Sequence, residues 1–155
     1  RNDIGTKMPV GSNIYMIRRD GQVENVHNTR VKYDSPLLIR RGDAIYLLSR
    51  LQLSFAGRYR IASSRLPRIF RDAVNIGLYF FFFLTTALSQ IDRASFEMKK
   101  LVSITSCGDT GYCSFAEDGN RSFIYTYSSN MGKPNKSWIE GQMQKTSIYR
   151  FTAQW

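Results

Sequence analysis

The longest uniform pattern in the chain is an uncharged run of nineteen residues from Ala73 to Ile91, with four consecutive phenylalanines, Phe80 to Phe83, at its centre. A helix of this length extends about 28 Å, close to the roughly 30 Å hydrocarbon core of a bilayer. The run therefore predicts a membrane-spanning helix. The alternative is an apolar helix that a small soluble domain wraps on all sides.

Other signals extend the predicted helix at both ends. Pro67 is typical of a first helical turn, so the helix is expected to begin near Arg65. Beyond the run, a stripe of residues three and four apart, apolar except for one serine, predicts an amphipathic continuation; these are Leu88, Ile91, Ser95, Met98 and Val102. Polar side chains inside the run are expected to contact partner helices, which makes a helix–helix site of Asn75, Thr85, Thr86 and Gln90.

Alternating apolar and polar positions predict β-structure on both sides of this helix. Upstream, an Asp-Gly pair between two extended runs predicts a hairpin. Downstream, aromatic residues alternate in 122–128 and 147–155, which predicts two strands that either pair as a C-terminal hairpin or join a larger sheet. The predicted fold is an α+β membrane protein, in which one long transmembrane helix is flanked by two small antiparallel β units. Its units are a basic β-rich unit 1–64, the helix with its extension 65–104, and a β-rich unit 105–155.

The charge distribution suggests an orientation for this span. The chain carries a net charge of +10, and residues 1–72 contain 14 basic and 6 acidic side chains against 8 and 6 in residues 92–155. Positive residues near a span tend to stay inside, so the N-terminus is predicted on the cytoplasmic or matrix side and the C-terminus outside. Arg65, Arg68 and Arg71 are predicted to contact anionic lipid headgroups, with a solvated basic face as the alternative.

The two cysteines are compatible with that orientation. Cys107 and Cys113 enclose five residues that include two glycines, and a disulfide across this loop would stabilise the fold by roughly 2 to 2.5 kcal/mol. Such bonds persist in oxidising compartments. Two reduced, inert thiols are the alternative. A zinc site is not predicted, because His27 is the single histidine and four ligands cannot be assembled.

Candidate catalytic chemistry is sparse. The chain contains no phosphate-binding or dinucleotide-binding glycine motif, no nucleophile elbow and no zinc-protease motif. No carboxylate stands in an apolar run that would raise its pKa for acid–base work. We therefore predict no enzyme, no catalytic residue and no cofactor.

These patterns favour a non-catalytic single-pass membrane subunit that mediates protein–protein contacts within a larger membrane assembly. Its expected partners are other membrane-protein subunits and anionic lipid. The alternative is a nucleic-acid-binding basic β module, soluble or membrane-tethered, because tyrosines and arginines are interleaved in the first unit. That alternative requires them to converge on one face of the N-terminal sheet; they are Tyr15, Tyr33, Tyr46 and Tyr59 with Arg18, Arg19, Arg40, Arg41, Arg58 and Arg60.

Overall fold

The computed structural model describes residues 12–29, 31–54, 59–60, 67, 69–70, 81–119, 121–132 and 134–154. The described strands and the short helix are β1 (Ser12–Ile17), β2 (Val23–Thr29), β3 (Tyr33–Arg41), β4 (Ala44–Ser54), β5 (Tyr59–Arg60), β6 (Phe83–Ile91), β7 (Met98–Ser103), β8 (Thr110–Asp118), β9 (Arg121–Ser128), α1 (Trp138–Gln142) and β10 (Ser147–Ala153).

Three antiparallel sheets contain these strands. The largest has the order β3-β4-β6-β7, with β5 also paired to β4; a three-stranded sheet has the order β10-β9-β8; and β1 and β2 form a separate hairpin. The hairpin around Asp20 and Gly21 is a confirmed prediction, as is the pairing of the two C-terminal aromatic strands. The division of the chain into three units remains a prediction.

Apolar residues cover both faces of the largest sheet. On one face, Ile39 and Leu48 meet Ile124 of the three-stranded sheet, and β8 lies against β3, β4 and β6. A second apolar cluster contains Tyr33, Leu47, Leu51, Ala87 and Ile91. Neighbouring strand residues such as Leu47 and Leu48 serve different clusters because successive side chains in a strand point to opposite faces.

The predicted transmembrane helix is wrong. The second half of the uncharged run, Phe83–Ile91, is strand β6, which pairs with β4 on one side and β7 on the other; residues 71–80 lie outside the described part of the chain. A strand buried on both faces has a nearly continuous apolar sequence, because neither of its faces contacts water and polar residues therefore do not alternate with apolar ones. The described residues contain no helix with the length and apolar character needed to cross a membrane.

The fold class therefore needs correction, and the functional interpretation changes with it. The described chain is mostly β-sheet, so neither the α+β membrane protein nor its alternative, a soluble α+β domain around a buried helix, describes it. The single-pass membrane subunit is wrong as well, because the second half of its span is strand β6 and no described helix could cross a membrane. The membrane localisation with oriented termini is wrong for the same reason.

The polar residues assigned to helix–helix contacts have other roles in β6. The Thr85 hydroxyl donates to the Thr105 carbonyl at 2.7 Å, and the Thr86 hydroxyl lies 2.8 Å from that of Thr110. Both threonines are buried, whereas Gln90 is exposed near the end of the strand. Asn75, Arg65, Arg68 and Arg71 lie outside the described residues.

The amphipathic helical continuation is also absent from the described chain. After β6 the chain reverses around Asp92, whose carboxylate accepts hydrogen bonds from the backbone amides of Ala94 and Ser95. It then returns as the edge strand β7. The three-and-four spacing of apolar residues thus spans two strands and a turn, so its helical periodicity was coincidental.

The predicted disulfide is wrong, because both cysteines are free. Cys107 is buried in the loop before β8, where its amide donates to the Asn135 side chain at 3.0 Å. Cys113 belongs to β8 and packs against the core between the sheets. Burial raises the pKa of the Cys107 thiol to about 11, against a smaller opposing effect of Lys100, and burial also raises the pKa of Cys113. Such thiols are poor nucleophiles at neutral pH.

Candidate binding face

The outer face of the three-stranded sheet carries a row of aromatic rings. Along β9 the residues Ser122, Ile124, Thr126 and Ser128 are buried, while the intervening side chains point away from the core. The outward rings are Phe123, Tyr125 and Tyr127, which we call the aromatic row. Because alternate residues share a face, neighbouring members of the row stand roughly 7 Å apart.

Arginines lie at one end of the aromatic row. The Arg150 guanidinium lies over the ring of Phe123, 5.2 Å from its centroid, and Arg150 is the register partner of Tyr125 across β9 and β10. Arg121 begins β9 and faces Asp118 across the β8–β9 turn. Within the described chain neither Arg121 nor Arg150 forms an ion pair with a carboxylate. Both arginines are exposed, so their charges are available to a ligand.

An open groove of about 1060 Å³ runs over this end of the face. Phe123 and Tyr125 contribute rings to it, Thr152 and Gln154 line its β10 side, and the charged side chains around it are Arg41, Glu117, Asp118, Arg121 and Arg150. A groove that combines ring surfaces with several cations can hold a ligand that is both planar and anionic.

Arg41 differs from the other two arginines because its charge is already engaged. Its guanidinium reaches from β3 to the Glu117 carboxylate at 2.5 Å, donates a hydrogen bond to the Ser122 hydroxyl, and lies 5.7 Å from the centre of the Phe115 ring. These contacts join the two sheets beside the groove. The charges left for a ligand are those of Arg121 and Arg150, partly offset by Asp118.

The opposite end of the aromatic row is held by a hydrogen bond and a ring contact. The Tyr127 hydroxyl donates to Asp109 at 3.2 Å, and burial together with the charge of Asp109 raises the pKa of Tyr127 to about 12. The Tyr112 ring stacks on Tyr127 with centroids 6.1 Å apart. Tyr112 is 72% exposed, so this end presents a ring to solvent.

The backbone at Tyr112 is unusual. Its φ is 45°, in the left-handed region that bulky residues rarely adopt, and it lies at the register irregularity of β8 between Gly111 and Ser114. Irregularities of this kind redirect a side chain relative to the regular pleat. The irregularity and the stacked ring occur together at the end of the aromatic row.

Helix α1 supports the Asp109 loop from behind. The backbone amide of Asp109 donates to the Ser129 hydroxyl at 3.1 Å, and Gly141 approaches so closely that a Cβ there would lie 2.2 Å from the Asp109 nitrogen. Ser137 and Glu140 form a capping box at the start of α1, which also lowers the pKa of Glu140 through hydrogen bonds from Ser137. Asp109, whose carboxylate accepts the hydrogen bond from the Tyr127 hydroxyl, is therefore part of a packed loop.

The N-terminal tyrosines and arginines do not form the platform that the sequence suggested. Tyr33 is buried in the core at 6% exposure, Tyr46 packs half-buried against the core between the sheets, and Arg18 pairs with Glu24 at 2.7 Å. Tyr15 is exposed on the separate hairpin. The side chains of Arg58, Tyr59 and Arg60 lie outside the described part. The alternation in 122–128 indicates the aromatic row from the sequence alone, whereas the pairing of β9 with β10 is what brings Arg150 beside it.

No match is found among protein family models, curated proteins or solved structures. Within the described residues, no group of three or more His, Cys, Asp and Glu side chains could hold a metal ion. The aromatic row and its arginines are therefore the features of the described chain that point to a function.

Proposed function

We propose that this chain is a non-enzymatic module that binds single-stranded nucleic acid on the outer face of its C-terminal sheet. The observation that supports it is the aromatic row with Arg121 and Arg150 at one end. Bases stack on exposed aromatic rings, and arginines neutralise the phosphates between them. The net charge of +10 favours any such encounter.

The central ring of the row is the expected stacking position. Arg150 covers Phe123 and Tyr112 covers Tyr127, whereas no described ring or guanidinium group lies over Tyr125. A base on Tyr125 would have the Arg150 guanidinium on one side and the exposed Tyr112 ring on the other. Both groups offer planar surfaces for neighbouring bases, because guanidinium planes stack on bases as rings do.

The charged side chains of the groove predict that one substitution strengthens binding and another weakens it. Glu117 is neutralised by Arg41, but Asp118 stands opposite Arg121 and repels a phosphate bound there. Replacing Asp118 by Asn should therefore strengthen binding, while Arg121→Gln should weaken it. A site elsewhere on the chain would respond to neither change.

The main experiment measures binding of a fluorescent oligouridylate and of an abasic deoxyribose-phosphate strand of equal length. Tyr125→Leu should weaken binding of oligouridylate by about fivefold to 150-fold, since stacking of one base contributes about 1–3 kcal/mol. It should leave the abasic strand almost unaffected. Tyr15→Leu is the matched control, because Tyr15 is exposed on the separate hairpin.

Salt dependence measures the arginine contribution. Each of Arg121→Gln and Arg150→Gln should reduce the slope of log affinity against log salt by about 0.7. Arg93→Gln serves as the control, because Arg93 is exposed and pairs with Asp43 away from this groove. If neither the oligouridylate nor the abasic oligomer binds at low salt, the proposed function is rejected. If the unaltered protein binds both with equal affinity, base stacking is rejected.

A further inference from the structure

The outer edge of β10 is regular, and no strand in the described part of the chain covers it. Among the described strands β10 pairs only with β9, and all seven of its residues follow one register without a shift. Its sequence contains neither proline nor glycine. A regular edge strand presents a row of backbone donors and acceptors that another strand can pair with.

Several other sheet edges carry the irregularities and charges that usually prevent such pairing. Strand β3 contains Pro36 and a register shift, and β7 carries Lys99 and Lys100 together with a shift opposite β6. Strands β1 and β8 are also interrupted by shifts. Proteins use these devices to block edge pairing. Strand β10 has no proline, no glycine and no register shift, and its one charged residue is Arg150.

The side chains of β10 also remain incompletely covered. Phe151 and Ala153 pack against the core between the sheets, yet both are only half-buried, as is Tyr149 on the same face. On the opposite face Ile148 is 80% exposed. A strand added beside β10 would cover apolar surface on both faces as well as pair the backbone.

We propose that the strand added to β10 is β10 of a second copy of this chain, antiparallel across a two-fold axis. Directly opposed residues in an antiparallel pair lie on the same face, so the register can be checked for charge conflicts. An axis at Arg150 would set two arginines against each other. Axes at Tyr149 and at Phe151 both remove the conflict. The axis at Phe151 pairs the two rings that pack on the core and places Arg150 opposite Thr152 of the partner subunit, so that the groove residues of both copies meet.

This pairing joins the two three-stranded sheets into one six-stranded sheet. Arg150 and Thr152 border the groove on its β10 side, so each groove would be continued by the partner subunit's β10. The inference goes beyond the proposed function and does not depend on it, because the assembly follows from the strand edge whatever the outer face binds.

The test is the mass of the whole chain in solution, measured by light scattering across a concentration series. The expected mass at high concentration is twice the 17.9 kDa of one chain. Thr152→Lys sets a lysine opposite Arg150 of the partner subunit at two symmetric positions, and the dimer dissociation constant should rise about tenfold. Adding Arg150→Glu to that variant should restore dimerisation, since the opposed charges then attract.

Ser114→Lys is the control, because it adds the same charge to the exposed face of β8, on the far edge of the same sheet. Circular dichroism establishes that each variant is folded. A monomeric mass at every concentration would overturn the proposal. A dimer that Thr152→Lys leaves unchanged, or that the charge exchange fails to restore, would overturn the β10 register.

Discussion

Replacing Gly141 by alanine separates two effects of opposite sign at helix α1. Helix propensity favours alanine over glycine by about 1 kcal/mol inside a helix. Packing opposes it, because the new Cβ would lie 2.2 Å from the nitrogen of Asp109, 2.8 Å from the carbonyl carbon of Gly108 and 2.9 Å from the Ser129 hydroxyl. Two of these three atoms are backbone, which cannot rotate aside as a flexible side chain can.

Packing should outweigh propensity at this position. Overpacking a well-filled site costs about 1–3 kcal/mol, and contacts this short belong at the upper end of that range. After the propensity gain is subtracted, Gly141→Ala should lower the free energy of unfolding by about 2 kcal/mol. Urea titration monitored by tryptophan fluorescence, with linear extrapolation to water, measures this loss of stability. Trp138 lies in α1 itself, so the probe is near the change.

Gln142→Ala supplies the control, because Gln142 is exposed in the same helix and its replacement should change stability by no more than about 0.5 kcal/mol. If Gly141→Ala instead stabilises the protein by about 1 kcal/mol, α1 does not pack on the Asp109 loop. The support that α1 gives to the Tyr127 end of the aromatic row would then be refuted.

Three further predictions concern the interior and the thiols. Thr86→Val should lower the free energy of unfolding, measured by urea titration, by about 1–2 kcal/mol. The buried Thr110 hydroxyl donates to the Tyr127 carbonyl and would lose the Thr86 hydroxyl that donates to it from 2.8 Å away. An unchanged stability would contradict this pairing. Unfolded without reductant, the chain should expose two reactive thiols, whereas a disulfide would leave none. Because the Cys107 pKa is raised from 9.0 to about 11 in the fold, its contribution to stability is complete below pH 9 and is lost as the pH rises towards 11. Cys107→Ala should therefore flatten the alkaline loss of stability, and an unchanged pH profile would contradict the raised pKa.

Local sequence determined the elements that depend on short-range chemistry. The Asp20-Gly21 pair specifies a tight turn between β1 and β2, because glycine adopts the positive φ of 84° found at Gly21. The strict alternation in β9 and β10 likewise determined that each is a strand with its aromatic rings on one of its two faces. Each pattern reflects the geometry of a few adjacent residues, so no distant contact is needed to read it.

The tertiary structure decided how these elements are used. Strand β6 resembles an uncharged helix in the sequence because most side chains on both of its faces are buried, while β4 and β7 pair with its two edges. A one-dimensional pattern cannot distinguish that burial from a bilayer. Thr85 and Thr86 are tolerated there because groups distant in the chain, on Thr105 and Thr110, form hydrogen bonds with their hydroxyls.

The binding face and the cysteines depended on tertiary structure in the same way. Alternation grouped Phe123, Tyr125 and Tyr127, but only the packing of Ile124 against the other sheet turned those rings outward. The spacing of Cys107 and Cys113 permitted a ring, yet burial in a loop and in the strand β8 left both thiols free. Sequence spacing limits which contacts can form, and the packing of distant residues selects among them.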